Sequence, residues 1–587
     1  MSAASDFSRI QEALGPLAAC RRSADSRMDI ETSPERLLPA VTAFRGLNWG
    51  YLSAITGLDS AGAASAQPAA GASASAGAAS PSVSAAPPTD GHIDVLYHFC
   101  LGPAIATFRV RVPREHPAVP SISAVVPSAA MFERELSETL GVEVAGLPKG
   151  KRQFLSDDWP QGVYPLRKDF SIEAAAPVAD SAPAVGSEEA PGTFIVPIGP
   201  QHPALKEPGH FEFAVDGEII TRASIRLGYV HRGIEKGAED RSWVQNLYLM
   251  ERICGICSHI HATAYALGVE ALAGMTVPPR AQAIRTIFCE LERIHSHLLW
   301  LGVGAHEAGF DTLFMYSWRD RETVMDLLEE LSGNRVNYSV NLLGGVKYDI
   351  DAAAADSIRR GLDFLEGRTK HYLKIVTTDE SFLRRTRGVG AISREQSERL
   401  GTVGPTARAS GVSCDLRAAA PYAAYGDFPI TPVVDERCDL EARFVVRIKE
   451  LFECYRLVRE ILDRMPAGDL SVPAPRKVAE GEVISRVEAP RGELFYYLRS
   501  TGGVKPDRVK VRTPSLCNWA AVVNVVVGHK LADLPMILIG IDPCFSCNDR
   551  SLTLRRRGGR AGSDSVEAWS WEDLRSYGIR YYGGGRT

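Results

Sequence analysis

Hydrophobic residues recur along this chain in two rhythms, and the rhythm changes partway. Toward the N-terminus the period is two. His92-Ile-Asp-Val-Leu-Tyr-His-Phe99 alternates well enough for a strand, and Thr107-Phe-Arg-Val-Arg-Val-Pro113 alternates strictly, as a half-exposed strand does. Between Ser121 and Leu147 the pattern predicts an acidic helix around Phe132-Glu-Arg-Glu-Leu136. From Pro279 to Asn337 the period is helical: Ile284, Phe288, Leu291, Ile294, Leu298 and Leu301 recur at steps of three or four, the stripe of a buried helix. Ile260, Ala264, Leu267 and Ala271 predict another helix. Asn341-Leu-Leu-Gly-Gly345 and Gly388-Val-Gly390 read as turns, and neither has the spacing of a phosphate loop. The longest apolar candidate, Ala520 to Ile541, is interrupted by Gly528-His-Lys and Asp533, so any membrane association is expected to run through partners.

Composition divides the chain further. At 587 residues it is too long for one core, and about three to four domain-sized units are expected. Residues 60–90 are almost wholly Ala, Ser, Gly and Pro and cannot bury a core, and residues 173–191 have a similar linker character. The expected division is a unit at 1–172 interrupted by the 60–90 insert, a linker at 173–191, a large domain at 192–550, and an extension at 551–587. With 45% hydrophobic and 23% charged residues and a net charge of −5, the balance is that of an ordinary globular protein. It argues against nucleic acid as a partner, which would call for a basic surface.

The chemistry concentrates in two short stretches, Arg252-Ile-Cys-Gly-Ile-Cys257 and Asp542-Pro-Cys-Phe-Ser-Cys547. Each supplies two thiols separated by two residues, which lets both sulfurs reach one metal. A structural zinc site is the general reading of two such pairs. Zinc ribbons, however, usually close within about 15–20 residues, whereas most of the C-terminal half intervenes here. The 11 cysteines without a secretory signal read as reduced and intracellular rather than disulfide-bonded. His261 lies four residues after Cys257, so on the predicted helix its imidazole shares a face with that thiol and could donate to a metal-bound sulfur. His295 and His297 lie on different helical faces and read as core or surface histidines rather than as ligands of one metal.

Arg-x-Cys-Gly-x-Cys-x-x-x-His near the start of the large domain, with Asp-Pro-Cys-x-x-Cys-x-x-Arg near its end, resembles the large subunit of a [NiFe]-hydrogenase. The resemblance implies that the four thiols hold nickel, with Cys254 and Cys544 as terminal ligands. Cys257 and Cys547 would bridge to an iron carrying CO and cyanide. Gly199-Pro-Gln-His-Pro-Ala-Leu-Lys-Glu-Pro208 and Leu227-Gly-Tyr-Val-His-Arg-Gly-Ile-Glu-Lys236 are similar both to membrane-bound energy-converting hydrogenases and to the corresponding subunit of respiratory complex I. The Phe132–Leu136 helix and Pro165-Leu-Arg-Lys-Asp169 resemble complex I's small hydrophilic subunit, which implies an assembly role for the N-terminal unit. The implied fold class is α+β: a small α/β docking domain, then a mostly helical large-subunit fold with peripheral β-structure.

The same resemblance assigns further roles by position. Glu207 matches a carboxylate that relays protons from a nickel thiolate, a task for a carboxyl whose pKa is lifted by partial burial. Glu235 matches a carboxylate that helps hold magnesium. Arg491, in Val487-Glu-Ala-Pro-Arg-Gly492, matches an arginine whose fixed charge over the metals favours heterolytic H2 cleavage. Pro514 and Ser515 match a strand that hydrogen-bonds the iron's diatomic ligands, with Cys517 structural. Arg408 and Arg417 belong to the shared framework and are expected to pair with acidic core groups. Arg550 matches the site where a dedicated endopeptidase removes the C-terminal extension. The implied partners are a small subunit carrying [4Fe-4S] clusters, membrane-arm subunits and, in the formate hydrogenlyase type, a formate dehydrogenase. The implied location is peripheral, on the cytoplasmic side of the inner or plasma membrane. A rival is the metal-free core subunit of an NADH-quinone oxidoreductase-like complex. It shares Gly-Pro-Gln-His-Pro and the framework arginines, but the four cysteines with Glu207 and Arg491 favour the hydrogenase.

Overall fold

The computed structural model describes residues 3–60, 91–170 except 149, 151, 157 and 158, 193–548 except 203, 204 and 206, and the pairs 555–556 and 567–568. The insert after Ser60, the expected linker, Arg550 and nearly all of the C-terminal extension lie outside the described residues.

The N-terminal unit is a five-stranded sheet in the order Ala19–Ala24, Arg27–Thr32, Ala104–Pro113, His92–Leu101, Tyr51–Ser60. Arg27–Thr32 and Ala104–Pro113 run parallel, and the other neighbours antiparallel. Alternation decides what each face meets. Ile93, Val95, Tyr97 and Phe99 join the cluster formed with the helices Ala3–Leu14 and Pro34–Arg45, where Phe44 packs edge-on against Phe108. Leu96, with Ala54 and Leu58, lies in a separate cluster with Phe495 and Tyr497 of the large domain. On the neighbouring strand Arg109 and Arg111 both reach Asp94, which explains the polar half of its alternation. The predicted acidic helix is Ala129–Leu140, closed by Gly141 in the left-handed conformation.

The large domain is built around the helix Pro279–Glu307, which begins with proline at its first turn and is buried along most of its length. Beside it lie Asp311–Ser332 and Leu440–Asp463, and Ala352–Thr378 packs on those two; Asp351 and Asp439 cap Ala352–Thr378 and Leu440–Asp463 by accepting backbone N–H groups. Among these helices sits a buried ion network: Arg408 pairs with Glu450 and Glu488, and Arg417 with Asp415 and Glu290. Removing one partner of such a pair typically costs about 3–5 kcal/mol. The predicted core arginines thus have acidic partners. His297 bonds Glu450 at 2.8 Å through Nε2, and His295 bonds the carbonyl of Ile256 at 2.9 Å, so both histidines are engaged by core groups rather than shared by one metal.

One small sheet positions the chemistry. Its antiparallel strands Gly481–Ala489, Gly492–Ser500 and Arg508–Arg512 are buried on both faces. Leu494, Tyr496, Leu498, Val509 and Val511 face the helix Ser258–Leu272 in one cluster, while Phe495 and Tyr497 face the N-terminal sheet. A second sheet, Phe194–Ile198, His210–Asp216 and Ile219–Arg226, sends Phe211 onto Trp519 and Phe545.

Candidate metal centre

The first thiol pair lies in the break between two helices. Trp243–Glu251, begun by a capping box of Ser242 and Gln245, ends at Arg252. Ile256 then donates its N–H to Cys254 Sγ at 3.3 Å, and Cys257 stands at the N-cap of Ser258–Leu272. The second pair follows Asp542, a non-glycine residue at φ 55°, and enters the short helix Phe545–Asn548. Although 290 residues separate them, Cys254 and Cys544 bring their sulfurs to 3.5 Å, both buried. That is far beyond a disulfide's ~2.05 Å, and it suits two thiolates sharing one metal at about 2.3 Å each. Cys257 is buried in the same apolar cluster. Among the described residues no set of three His, Cys, Asp or Glu side chains closes on a single ion. Cys547 belongs to the last helix, but its side chain lies outside the described residues.

Four side chains hold the second thiol loop. Ser546, between its cysteines, donates its N–H to Glu207 Oε2 at 2.8 Å and its hydroxyl to Glu207 Oε1. Ser515 Oγ accepts the Cys544 N–H at 3.2 Å. Arg232 donates to the carbonyls of Ile253 at 2.7 Å and Ser546 at 2.9 Å, and so ties the two loops together. Arg491 donates from Nε to the Asp542 carbonyl at 2.8 Å and from Nη2 to Oδ1 at 2.9 Å.

Arg491 occupies the tip of a two-residue hairpin, Pro490-Arg491, between the paired Ala489 and Gly492. Arg293 donates to the carbonyls of Glu488 and Ala489, and Arg447 to that of Pro490. Gly492, at φ 126°, packs so closely on Gly404 that a Cβ there would meet the Gly404 nitrogen at 2.7 Å. Burial opposes the guanidinium's charge, but Asp542 and the thiols of Cys544, Cys257 and Cys254 hold its pKa well above the ordinary arginine value. Its Nη1 is buried without a hydrogen-bond partner among the described residues. An unpaired cationic donor beside soft thiols fits a centre that carries an anionic or electron-rich group.

His261 sits one turn into its helix, and its Nδ1 meets the Tyr496 hydroxyl at 2.8 Å. One expectation is corrected. Pro514 and Ser515 do not lie in a strand: the strand ends at Arg512, extended Thr513 is an N-cap, and Pro514 opens the helix Pro514–Val525 with its preset φ. Glu235, expected to help hold magnesium, accepts from Arg508 at 2.7 Å and from the Val511 N–H at 3.0 Å, with Lys510 at 3.6 Å.

Two residues of this region carry no signal in the sequence. Arg232 sits within Leu227–Lys236, where nothing in its spacing announces that it bridges two loops. Glu292 accepts the N–H groups of His259 at 2.7 Å and Ile260 at 3.0 Å, at the start of the helix after Cys257. Burial pushes its carboxyl up to about 8. It meets its partners across 32 residues, a pairing that no local spacing encodes.

Comparison with known proteins gives the same picture. Residues 30–176 match the family of the respiratory-chain NADH dehydrogenase 30 Kd subunit, residues 232–302 that of nickel-dependent hydrogenases, and residues 307–479 and 471–550 that of the respiratory-chain NADH dehydrogenase 49 Kd subunit. Formate hydrogenlyase subunit 5 of Escherichia coli (strain K12) is 37% identical over 452 residues, 76% of this chain and 79% of the relative. An NADH-quinone oxidoreductase subunit of Dehalococcoides mccartyi (strain ATCC BAA-2266) is 40% identical over 361 residues, 61% of this chain and 98% of the relative. A solved chain of the membrane-bound sulfane sulfur reductase, an archaeal respiratory membrane complex, superposes with a TM-score of 0.59 at 32% identity, covering 61% of this chain and 99% of its own. The matches span both halves of the described chain and join a complex I-type N-terminal unit to a nickel-hydrogenase segment that contains Cys254 and Cys257. The chain belongs to the family of energy-converting [NiFe]-hydrogenase large subunits, of the kind that carries at its N-terminus a fused unit related to the respiratory 30 Kd subunit.

Proposed function

We propose that this chain is the catalytic subunit of a multisubunit [NiFe]-hydrogenase that reversibly reduces protons to H2. The observation that carries the reading is the buried approach of Cys254 and Cys544 to 3.5 Å beside a guanidinium, Arg491, with one donor unpaired. Cys254, Cys257, Cys544 and Cys547 would hold nickel and iron, and CO and cyanide on the iron are part of the same proposal. When bound, the metals supply the site at which two protons and two electrons combine to H2 and at which H2 is split.

The chain's own groups do the rest. Arg491 keeps a fixed cation at the thiols, and its two bonds to Asp542 hold it there without reorganisation. Glu207, one hydrogen bond from the residue between Cys544 and Cys547, is placed to accept a proton from that loop and release it outward. The apolar cluster around Cys254, Cys257 and Cys544 excludes water from the thiols. Electrons would come from a partner bearing iron–sulfur clusters. Among the described residues no helix is long and apolar enough to cross a membrane. Since the solved relative is part of a respiratory membrane complex, membrane-arm partners are proposed for this chain too. A peripheral place on the cytoplasmic face, a formate dehydrogenase as electron source, and cleavage after Arg550 by a maturation endopeptidase complete the proposal.

The rival, a metal-free quinone-oxidoreductase core, draws on the 40% identity to the Dehalococcoides mccartyi protein. Nickel and iron assays on the complex purified with its partners, with H2 evolution from a reduced viologen, separate the two.

A further inference from the structure

The fused N-terminal domain reaches the back of the wall whose front is the thiol site. On the strand Gly492–Ser500, Phe495 and Tyr497 pack tilted against His98 with centroids 5.1 and 5.7 Å away, while Tyr496, between them, bonds His261 on the other face. On the strand Arg508–Arg512 every second residue grips the N-terminal domain. Arg508 donates to the Gly57 carbonyl at 3.3 Å, Lys510 pairs with Glu135, and Arg512 donates from Nε to the Ser53 carbonyl at 2.6 Å.

Glu493 is the node of this contact. Its buried carboxylate accepts the Tyr51 hydroxyl at 2.6 Å and the Ser53 hydroxyl, both from the N-terminal domain, and pairs with Arg486 and Arg512 of its own sheet. Arg512 also donates to the backbone carbonyl of Glu493. Glu493 stands two residues beyond Arg491 and is paired with Glu488 across the hairpin, one rung below the turn. Two neutral donors from one domain and two cations from the other thus fix one carboxylate at the root of the turn that presents Arg491.

We propose that Tyr51 and Ser53 are positioning residues for Arg491. Through Glu493 and Arg512, the N-terminal domain sets where the hairpin tip holds its guanidinium against the thiols. The inference rests on the hydrogenase reading and goes beyond an assembly role for the domain. Without the two hydroxyls, two lone pairs of a buried carboxylate are unmet, and the side chain turns toward Arg486 and draws the strand with it. Misplacement of a catalytic group by about 1 Å costs up to 10²-fold in rate, so a partial shift of the tip is felt strongly.

The test is Tyr51→Phe with Ser53→Ala, which preserve apolar packing, in the full chain within its native complex. Four readings are taken: nickel per chain, unfolding temperature, H2 turnover, and hydrogen exchange of the 487–494 segment. The expected result is parental nickel content, turnover reduced about tenfold, and exchange at the hairpin tip about tenfold faster, with the helix Ser258–Leu272 unchanged. Adding Arg491→Lys in that background should cost only about tenfold further, against about 10²-fold in the parent, because both changes act through one group. Parental turnover and tip exchange, or losses that simply multiply, would overturn the proposal. If the double variant does not accumulate, Ser53→Ala alone is read in the same way, with Ser53→Thr expected to restore the parental values. Absence of nickel from the parent would instead defeat the hydrogenase reading, while tip exchange would still report on the positioning.

Discussion

Arg491 and Asp542 are joined twice, by a bond from Nε to the Asp542 carbonyl at 2.8 Å and one from Nη2 to Oδ1 at 2.9 Å, with both side chains buried. The hairpin tip and the second thiol loop therefore move as one piece. A lysine keeps the charge but cannot make the two-pronged contact. Arg491→Lys is expected to retain nickel and to lose about 10²-fold in H2 turnover. Near-parental turnover with nickel intact would show that the fork is not needed.

Glu207 holds the other side of the same loop, through the N–H and hydroxyl of Ser546. Glutamine can accept one of these bonds through its carbonyl oxygen and donate to the Ser546 hydroxyl from its amide nitrogen, but it cannot exchange a proton at working pH. Glu207→Gln should leave nickel and iron content at the parental level and lose most H2/D+ exchange. Unchanged exchange would move the proton route to another group.

Stability should carry a signature of the interface between the domains. His98 is buried between the two sheets, with Nδ1 at 3.0 Å from Thr107 and Nε2 at 3.1 Å from Thr56. Burial, with Arg27, Arg109 and Lys510 nearby, pushes its pKa well below the ordinary histidine value. As pH falls below about 6.5, the unfolded chain takes up a proton that folded His98 refuses, so stability drops by at most about 1.4 kcal/mol per pH unit. At higher pH both states are neutral there and the effect vanishes. In His98→Gln the fall in unfolding temperature from pH 7.5 to pH 5.5 should be smaller than in the parent by about 1 °C. Equal falls would show that His98 is not the proton acceptor.

What could be read from the sequence was what is local. Strict alternation gave the strand ending at Pro113, and three- and four-residue steps gave the helix Pro279–Glu307. Family resemblance placed Glu207 and Ser515 at the thiol loop. The strand expected through Pro514 fails locally: Pro514 follows a real strand, and the helix it opens has no alternation to announce it. Other contacts depend on neighbours far along the chain, and the partners of Glu235, Arg508 and Lys510, lie more than 270 residues away. Arg232 and Glu292 were missed for the same reason, since each acts on backbone atoms of a distant loop.

The segment after Cys547 offers a separate check. Arg550 lies outside the described residues, and its role rests on the family resemblance alone. In the active, nickel-loaded complex the subunit is expected to end at Arg550, with the residues from Ser551 to Thr587 removed, as read by intact mass. A subunit ending at Thr587 that evolves hydrogen would refute processing.

The most direct test of the central claim is the metal content of the purified complex, compared among parent, Cys544→Ser and Cys517→Ser. Cys544 stands 3.5 Å from Cys254, whereas Cys517 lies in the apolar core, its thiol pushed by burial up to about 11. Bound nickel and iron in parent and Cys517→Ser, with loss of nickel and of H2 evolution in Cys544→Ser, is the result expected. Zinc or no metal in the parent, or full nickel and activity in Cys544→Ser, would contradict a nickel–iron centre built on these thiols.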